Sequence, residues 1–289
     1  MNHWRDPIDP AAVREALAGA DGWMVLHTAI TGSSNADLAL AAASGAADRT
    51  VLITEEQRAG RGRLGRSWQA PRGSSLMMSI LLRPEVSPSC RGWVGALLGL
   101  SLIQAVRSMT GLAADLKWPN DLLIGGRKCA GILAEAAGDA LVVGAGVNVT
   151  LSAEEISDET GATPATSLQL EGAECIDRTR LAAAVLDAFA TRLDRWYSAD
   201  GDVGIAGLLQ EYRQHCSTLG SVVRVALSNG QRRTGTAVDV ADDGALLVRD
   251  ATGGRHRFTA ADVVHLRPAA PAASAGERGL RVSPSTTNT

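Results

Sequence analysis

The sequence predicts an α+β protein, with a mixed main domain over residues 23–219 and a small β-barrel-like domain over residues 220–268. Two observations carry this. Between Trp23 and Leu219, strand-like runs alternate with segments of helical apolar periodicity. From Ser221 the chain changes to short β-branched runs separated by Asn229-Gly230, Asp243-Gly244 and Gly253-Gly254, dipeptides suited to hairpin turns. Such closely spaced strands read as a small barrel. The total of 289 residues suits about two domains at roughly 150 residues each.

In chain order, residues 1–22 form an N-terminal extension with one short helical pattern (Val13, Leu17), too small for a helix-turn-helix module. Ser34-Asn35 can cap a helix that runs to Ala43, and Thr50–Thr54 and Ser75–Leu82 read as strands. Trp93 to Met109 places Val94, Leu97, Leu98, Leu102 and Val106 on one helical face ahead of Gly111. Gly125-Gly126 sits between two strand-like runs and marks a hairpin, and Leu141–Val149 is the next strand. Helices are expected over Thr179–Tyr197 and Val203–His215. Residues 269–289 are Ala, Pro, Ser, Gly and Thr with few large apolar groups, the composition of a disordered tail. No internal repeat is visible.

Composition removes several classes of function. With Lys+Arg 28 against Asp+Glu 31 the formal net charge is -3, so no global field draws the chain onto nucleic acid or an anionic membrane. Aromatic residues at 3% leave few platforms for stacking bases. The longest apolar run, Val94 to Val106, is shorter than the roughly 20 residues of a membrane-spanning helix. The cysteines Cys90, Cys129, Cys175 and Cys216 form no CxxC pair and the N-terminus has no apolar leader, which points to a reduced, cytoplasmic location. There is no HExxH, no GxSxG and no GxxxxGK[ST], so zinc, serine-nucleophile and P-loop chemistry lack their motifs.

The segment Glu55-Glu56-Gln57-Arg58-Ala59-Gly60-Arg61-Gly62-Arg63-Leu64-Gly65-Arg66-Ser67-Trp68 is the most informative. Gly60 to Gly65 fits GxGxxG after a strand, but that dinucleotide fingerprint must open a helix, and here Pro71, Arg72 and Gly73 punctuate a loop. What remains is a glycine-rich loop with Arg61, Arg63 and Arg66. Guanidinium forks hold phosphate or carboxylate oxygens, and interleaved glycines let the backbone approach an anion. A solvated basic loop or a nucleic-acid tether has the same composition.

In Leu116-Lys117-Trp118-Pro119-Asn120-Asp121-Leu122, the proline stiffens a bend that gathers a cation, an amide and a carboxylate. That set suits a nucleotide with Mg²⁺, which usually takes one or two protein carboxylates; a turn with an Asn-Asp cap would look alike. Lys128 follows the Gly125-Gly126 turn and precedes Ala130-Gly131, small residues beside which a ligand could pack, though most such lysines are simply solvated. Gly144 and Gly146 weaken a strand unless something approaches it closely, and a ligand is the expected visitor. Asn148 could address a heterocycle edge or end a bulge.

Taken together and in order, Gly32-Ser33-Ser34-Asn35, Gln57 with Gly60 to Trp68, Lys117 to Leu122, Arg127 to Leu133, and Gly144 to Asn148 resemble biotin protein ligase, also called biotin–acetyl-CoA-carboxylase ligase, over about residues 23–268. The resemblance implies a class II synthetase-like catalytic domain, an SH3-like C-terminal domain, and the short monofunctional form without an N-terminal DNA-binding domain. It implies ATP-dependent activation of biotin as biotinyl-5'-AMP and transfer to a lysine of a biotin carboxyl carrier domain of an acyl-CoA or pyruvate carboxylase. It further implies no DNA or membrane partner, and a monomer or weak homodimer.

By position, Ser33, Ser34, Asn35 and Gln57 then correspond to groups around the biotin ring, with Gly60, Arg61, Gly62, Arg63 and Gly131 completing that pocket. Arg61, Arg63 and Arg66 correspond to the loop over biotinyl-adenylate, and Lys128 to the lysine beside the biotin carboxylate and the α-phosphate. Lys117, Asn120, Asn148 and Trp68 correspond to nucleotide contacts, Asp121 to a magnesium ligand, and Lys128, Arg63 and Asp121 to the catalytic set. Ser34 stands where the family usually has Thr, a change that keeps the hydroxyl. Two rivals remain on the sequence alone: a lipoate or octanoate ligase of the same fold and chemistry, and a nucleic-acid-binding regulator.

Overall fold

The computed structural model describes residues 5–17, 22–156, 163–174, 176–226, 231–259 and 262–265. The short helix α1 is Pro10–Ala16, with Pro10 in its first turn and the Asp9 carboxylate accepting the Ala11 and Ala12 N–H groups. Its apolar side, Val13 with the flanking Ile8 and Leu17, is buried.

The main sheet consists of β1 (Met24–Thr28), β2 (Thr50–Thr54), β3 (Ser75–Leu82), β4 (Ala114–Lys117), β5 (Asp121–Ile124), β6 (Arg127–Ala137) and β7 (Ala140–Asn148). The spatial order is β1-β2-β3-β7-β6-β5-β4. Only β1 and β2 run parallel, and their crossover is α2 (Ser34–Ala43). The remaining neighbours are antiparallel. Strands β3 and β7 are buried along their whole length, which is why they read as nearly unbroken apolar runs. One face carries the small cluster of Leu38, Ala42, Leu52, Leu81, Ala140 and Val142 under α2. The other carries the main core, built on α3 (Val94–Thr110) and α4 (Arg178–Ser198).

A 3₁₀ turn, Pro88–Trp93, leads into α3, and the joined stretch Pro88–Thr110 is long and apolar enough to cross a membrane. With 61% of its most apolar window buried inside the protein, that character is used in the core. The helix expected over Val203–His215 is shorter, α5 being Leu208–His215. Gly204 and Gly207 lie in the lost part; Gly207 has φ +70 and the Asp202 carboxylate caps the preceding turn at Gly204 and Ile205.

The C-terminal strands β8 (Val222–Ala226), β9 (Arg232–Val240), β10 (Leu246–Arg249), β11 (Arg255–Phe258) and β12 (Asp262–His265) form an antiparallel sheet in the order β11-β10-β9-β8-β12. Val223, Val225, Ala237, Leu246, Val248 and Phe258 turn inward and belong to the same apolar cluster as α3 and α4. Asp243-Gly244 and Gly253-Gly254 make the expected turns, with Gly244 at φ +85 and Gly253 at φ +89. Asn229-Gly230 and residues 269–289 lie outside the described residues. The two sheets are tied by indole donors: Trp93 Nε1 to the Asp242 carbonyl at 2.6 Å and Trp118 Nε1 to the Gly244 carbonyl at 2.9 Å.

Under the end of β2, Glu55 and Arg178 form an ion pair at 2.7 Å with side chains 2% and 1% exposed. Glu55 also accepts the Ile8 N–H at 2.7 Å and faces His27 Nε2 at 3.0 Å, while Arg178 donates to the Ser75 and Asp6 carbonyls. Burial opposes ionisation of Glu55, but the Ile8 N–H, His27 and Arg178 outweigh it and hold the carboxyl below its usual range.

Candidate active site

A cavity of about 180 Å³ opens over the C-terminal half of β7, between the N-terminus of α2 and the glycine-rich loop. Three residues of β7, Gly144, Gly146 and Asn148, mark its length. Residues two apart on a strand share a face and are spaced by about 6.6 Å, so the three lay out a site with two ends and a middle.

The Gly144 end is a closed polar network at a helix N-terminus. Ser33 is the N-cap of α2, and Ser34 N–H donates to Gln57 Oε1 at 2.8 Å, with Ser34 Oγ 3.1 Å from the same oxygen. Ser34 Oγ lies 2.7 Å from Ser79 Oγ, which donates to Asn35 Oδ1 at 2.6 Å. Asn35 Nδ2 donates to Glu135 Oε2 at 2.8 Å and to the Leu133 carbonyl at 3.2 Å. These groups are mostly buried, and each holds the next in place.

Lys128 occupies the middle. Its Nζ is 2.8 Å from Asp121 Oδ1 and 5.7 Å from the centre of the Trp68 ring. At the far end, Asn148 Nδ2 donates to the Thr166 carbonyl at 2.9 Å, and Leu151, Glu155, Ile156 and Thr163 continue the wall.

The glycine-rich loop folds back on itself. Trp68 N–H donates to the Gly60 carbonyl at 2.8 Å, Gly62 N–H to the Arg66 carbonyl at 2.7 Å, and the turn passes through Leu64 at φ 56 and Gly65 at φ 74. A single 3₁₀ turn, Arg63–Gly65, replaces the helix that a dinucleotide fingerprint would need. Arg63 reaches across to Asn120 Oδ1 at 3.2 Å, and Arg61 lies 3.8 Å from Glu135. Trp68 lays its indole over Gly131 and Gly146, which face each other in register; its Nε1 is buried and has no hydrogen-bond partner among the described residues.

Of the residues singled out from the sequence, Ser33, Ser34, Asn35, Gln57, Arg61, Gly62 and Arg63 line this cavity, as do Arg66, Trp68, Asn120, Lys128, Gly131 and Asn148. Three do not. Gly60 is glycine because a Cβ there would overlap the Trp68 carbonyl, so it closes the loop and does not face the cavity. Lys117 donates to Thr163 Oγ1 at 2.6 Å from a buried position, and Asp121 stands behind Lys128. The visitor expected over the strand glycines is also different: Asn35 fills the space of a Cβ at Gly144, and Trp68 fills that at Gly146. The protein's own side chains require both glycines.

Ser79, Glu135 and Glu155 were not singled out from the sequence. Ser79 left one trace, a hydroxyl in the otherwise apolar run Leu76–Leu82. Cys129, below the site, is no nucleophile: burial foremost, and then the Glu171 carboxylate, push its thiol far above the usual range.

Comparison with known proteins gives the family. The model of the biotin/lipoate A/B protein ligase family matches residues 34–151, and that of the biotin protein ligase C-terminal domain matches residues 218–266. A biotin–[acetyl-CoA-carboxylase] ligase of Mycobacterium tuberculosis is 41% identical over 91% of this chain and 97% of its own length. One of Paracoccus denitrificans is 34% identical over 81% of this chain and 97% of its own. A solved biotin protein ligase from Aquifex aeolicus, in complex with biotin and ATP, has a TM-score of 0.70 at 26% identity, covering 84% of this chain and 99% of that one. With relatives this similar along nearly their whole length, the chain belongs to the biotin protein ligase family.

Proposed function

We infer that this protein is a biotin–[acetyl-CoA-carboxylase] ligase: it joins biotin to AMP as biotinyl-5'-AMP and passes the acyl group to a lysine of a biotin carboxyl carrier domain. The observation that carries this reading is the position of Lys128, midway between a closed polar network and the Asn148 end of the same cavity. A small acid bound with its head in the network would bring its carboxylate to Lys128, and a nucleotide at the other end would bring its α-phosphate to the same ammonium.

In the first step a biotin carboxylate oxygen attacks the α-phosphorus of ATP and pyrophosphate leaves. Two anions must meet, so cations have to offset their repulsion. Lys128 and Arg63 are the cations placed to do so, after exchanging Asp121 and Asn120 for substrate oxygens. In the second step the acceptor lysine amine attacks the acyl carbon and AMP leaves. No enzyme nucleophile is needed, which fits a buried, protonated Cys129.

The roles of the other residues follow their place. Ser33, Ser34 and Gln57 meet the polar ring of biotin, and Asn35, its amide committed on both sides, holds Ser79 and Glu135 in register. Arg61, Arg66 and Trp68 cover the adenylate, and Asn120 and Asn148 border the nucleotide. Among the described residues no group of three or more His, Cys, Asp or Glu is spaced to hold a metal. One carboxylate, Asp121, suits a Mg²⁺ that arrives with the phosphates of ATP and would steady the leaving pyrophosphate.

The deciding experiment is intact-mass analysis of a biotin carboxyl carrier domain incubated with the protein, Mg²⁺-ATP and equimolar biotin, lipoate and octanoate. A biotin-sized gain on one lysine supports the reading. A lipoyl or octanoyl gain would keep the mechanism and replace the substrate, and no gain without pyrophosphate release would overturn both.

A further inference from the structure

The chain ahead of α1 reaches the far end of the cavity through one side chain. Arg5 grips Glu155 as a fork, Nη1 to Oε1 at 2.9 Å and Nη2 to Oε2 at 2.5 Å. The same guanidinium donates to the Thr150 carbonyl at 2.9 Å and to the Thr150 hydroxyl at 3.2 Å. Glu155 in turn accepts the Ser152 N–H at 3.0 Å. One side chain therefore ties together both ends of a short segment in which Leu151, Glu155 and Ile156 form cavity wall. That segment follows directly on Asn148, the end of the site away from the serine network.

The backbone of Arg5 is itself anchored. Arg178, locked to buried Glu55, donates to the Asp6 carbonyl at 2.6 Å and to the Arg5 carbonyl at 3.5 Å. A Cβ on Gly73, which has φ +73, would lie 2.9 Å from the Arg5 carbonyl, so a glycine there leaves room for this segment to pass. Bidentate guanidinium–carboxylate pairs fix orientation as well as distance. The fork also keeps Glu155 ionised, its carboxyl held below the usual range by the Arg5 hydrogen bonds first and then the Ser152 N–H.

We propose that Arg5 is a positioning residue for nucleotide binding: its fork on Glu155 fixes Leu151–Ile156 as the wall of the cavity at the Asn148 end. The assignment rests on the adenylation reading above, in which the Gly144 end takes the acid and the Asn148 end the nucleotide. Arg5 touches no substrate and acts through Glu155. A brace with no role in binding would lower the melting temperature and leave the Michaelis constants alone. A positioning residue moves one of them selectively.

The test is biotin-dependent pyrophosphate release by the full chain, by Arg5→Ala, and by the conservative Arg5→Lys. The expected result for Arg5→Ala is a rise in the KM for ATP of about 5-fold, the scale set by losing a half-exposed charge-assisted fork, with the KM for biotin and kcat changed less than about 2-fold. Arg5→Lys, which keeps the positive charge and can still donate to Glu155, should lose clearly less than Arg5→Ala. An unchanged KM for ATP, or an equal rise for both substrates, would overturn the proposal while leaving the adenylation reading intact. No biotin-dependent pyrophosphate from the unaltered protein would overturn that reading, and the proposal with it.

Discussion

The two ends of the cavity are built by opposite strategies. At the Gly144 end, Ser33, Ser34 and Asn35 are buried at the start of α2, and Ser34 and Asn35 are bonded through Ser79, Gln57 and Glu135 into a network closed among protein groups. The loop that faces it is less enclosed: Arg61 and Arg66 are exposed, the Arg61 guanidinium lies 3.8 Å from Glu135, and the Trp68 indole N–H is buried without a partner among the described residues. A network that is finished in advance loses little freedom on binding and sets specificity. An exposed glycine-rich loop can reorder over the ligand and exclude water from a hydrolysable intermediate. Under the proposed function, recognition belongs to the first region and protection of the adenylate to the second.

The sharpest way to break this comparison is to remove the support beneath the rigid region. Glu55→Gln leaves Arg178 buried without its counter-charge, and loss of one partner from such a pair costs about 3–5 kcal/mol. Chemical denaturation of the variant should show a loss of that size. The pH dependence has a definite sign. Glu55 titrates below its ordinary 4.5 in the folded protein, so its contribution is full above 4.5 and is lost as pH falls through the depressed value. A stability profile flat across that window would contradict the ion pair.

Lys128→Ala tests the centre, where the two regions meet. Adenylation should fall by at least about 100-fold, the usual consequence of removing a group that stabilises developing charge, while the melting temperature changes little. Near-normal biotin-dependent pyrophosphate release would remove Lys128 from the mechanism.

Gly146→Ala asks whether the loop really docks on the strand. The added methyl would occupy the place of the Trp68 indole, so either the indole moves out or the strand is strained, at a cost of about 1–3 kcal/mol. The expected result is a more exposed Trp68, read as a larger fraction of tryptophan emission that acrylamide can quench than in the unaltered protein. Unchanged quenching with unchanged stability would show that Trp68 does not lie where the structure puts it.

The same contrast explains what the sequence could tell. Strands β2 and β3 were legible to the residue because unbroken apolar runs bounded by polar turns leave little choice. The start of α5 was not, because the apolar spacing of Val203 to His215 conceals the break made by Gly204 and the left-handed Gly207. In the site, the arginines and Lys128 stood out as motif residues. Ser79, Glu135 and Glu155 did not, since their meaning lies in partners 44, 100 and 150 positions away. Gly144 and Gly146 announced a close approach, but sequence cannot say whether ligand or protein makes it.

Arg63→Ala carries a small cost in stability and sharpens the comparison most. Arg63 is half-buried and donates to Asn120, so its removal should change stability by about 1 kcal/mol. Its effect falls on both steps: biotinyl-adenylate should form more slowly, and what forms should escape, appearing free in solution at the expense of transfer to the carrier. Rapid filtration after a single turnover separates retained from released intermediate. Retention equal to that of the unaltered protein would mean that the rigid network alone holds the adenylate, and would move the protective role away from the arginine loop.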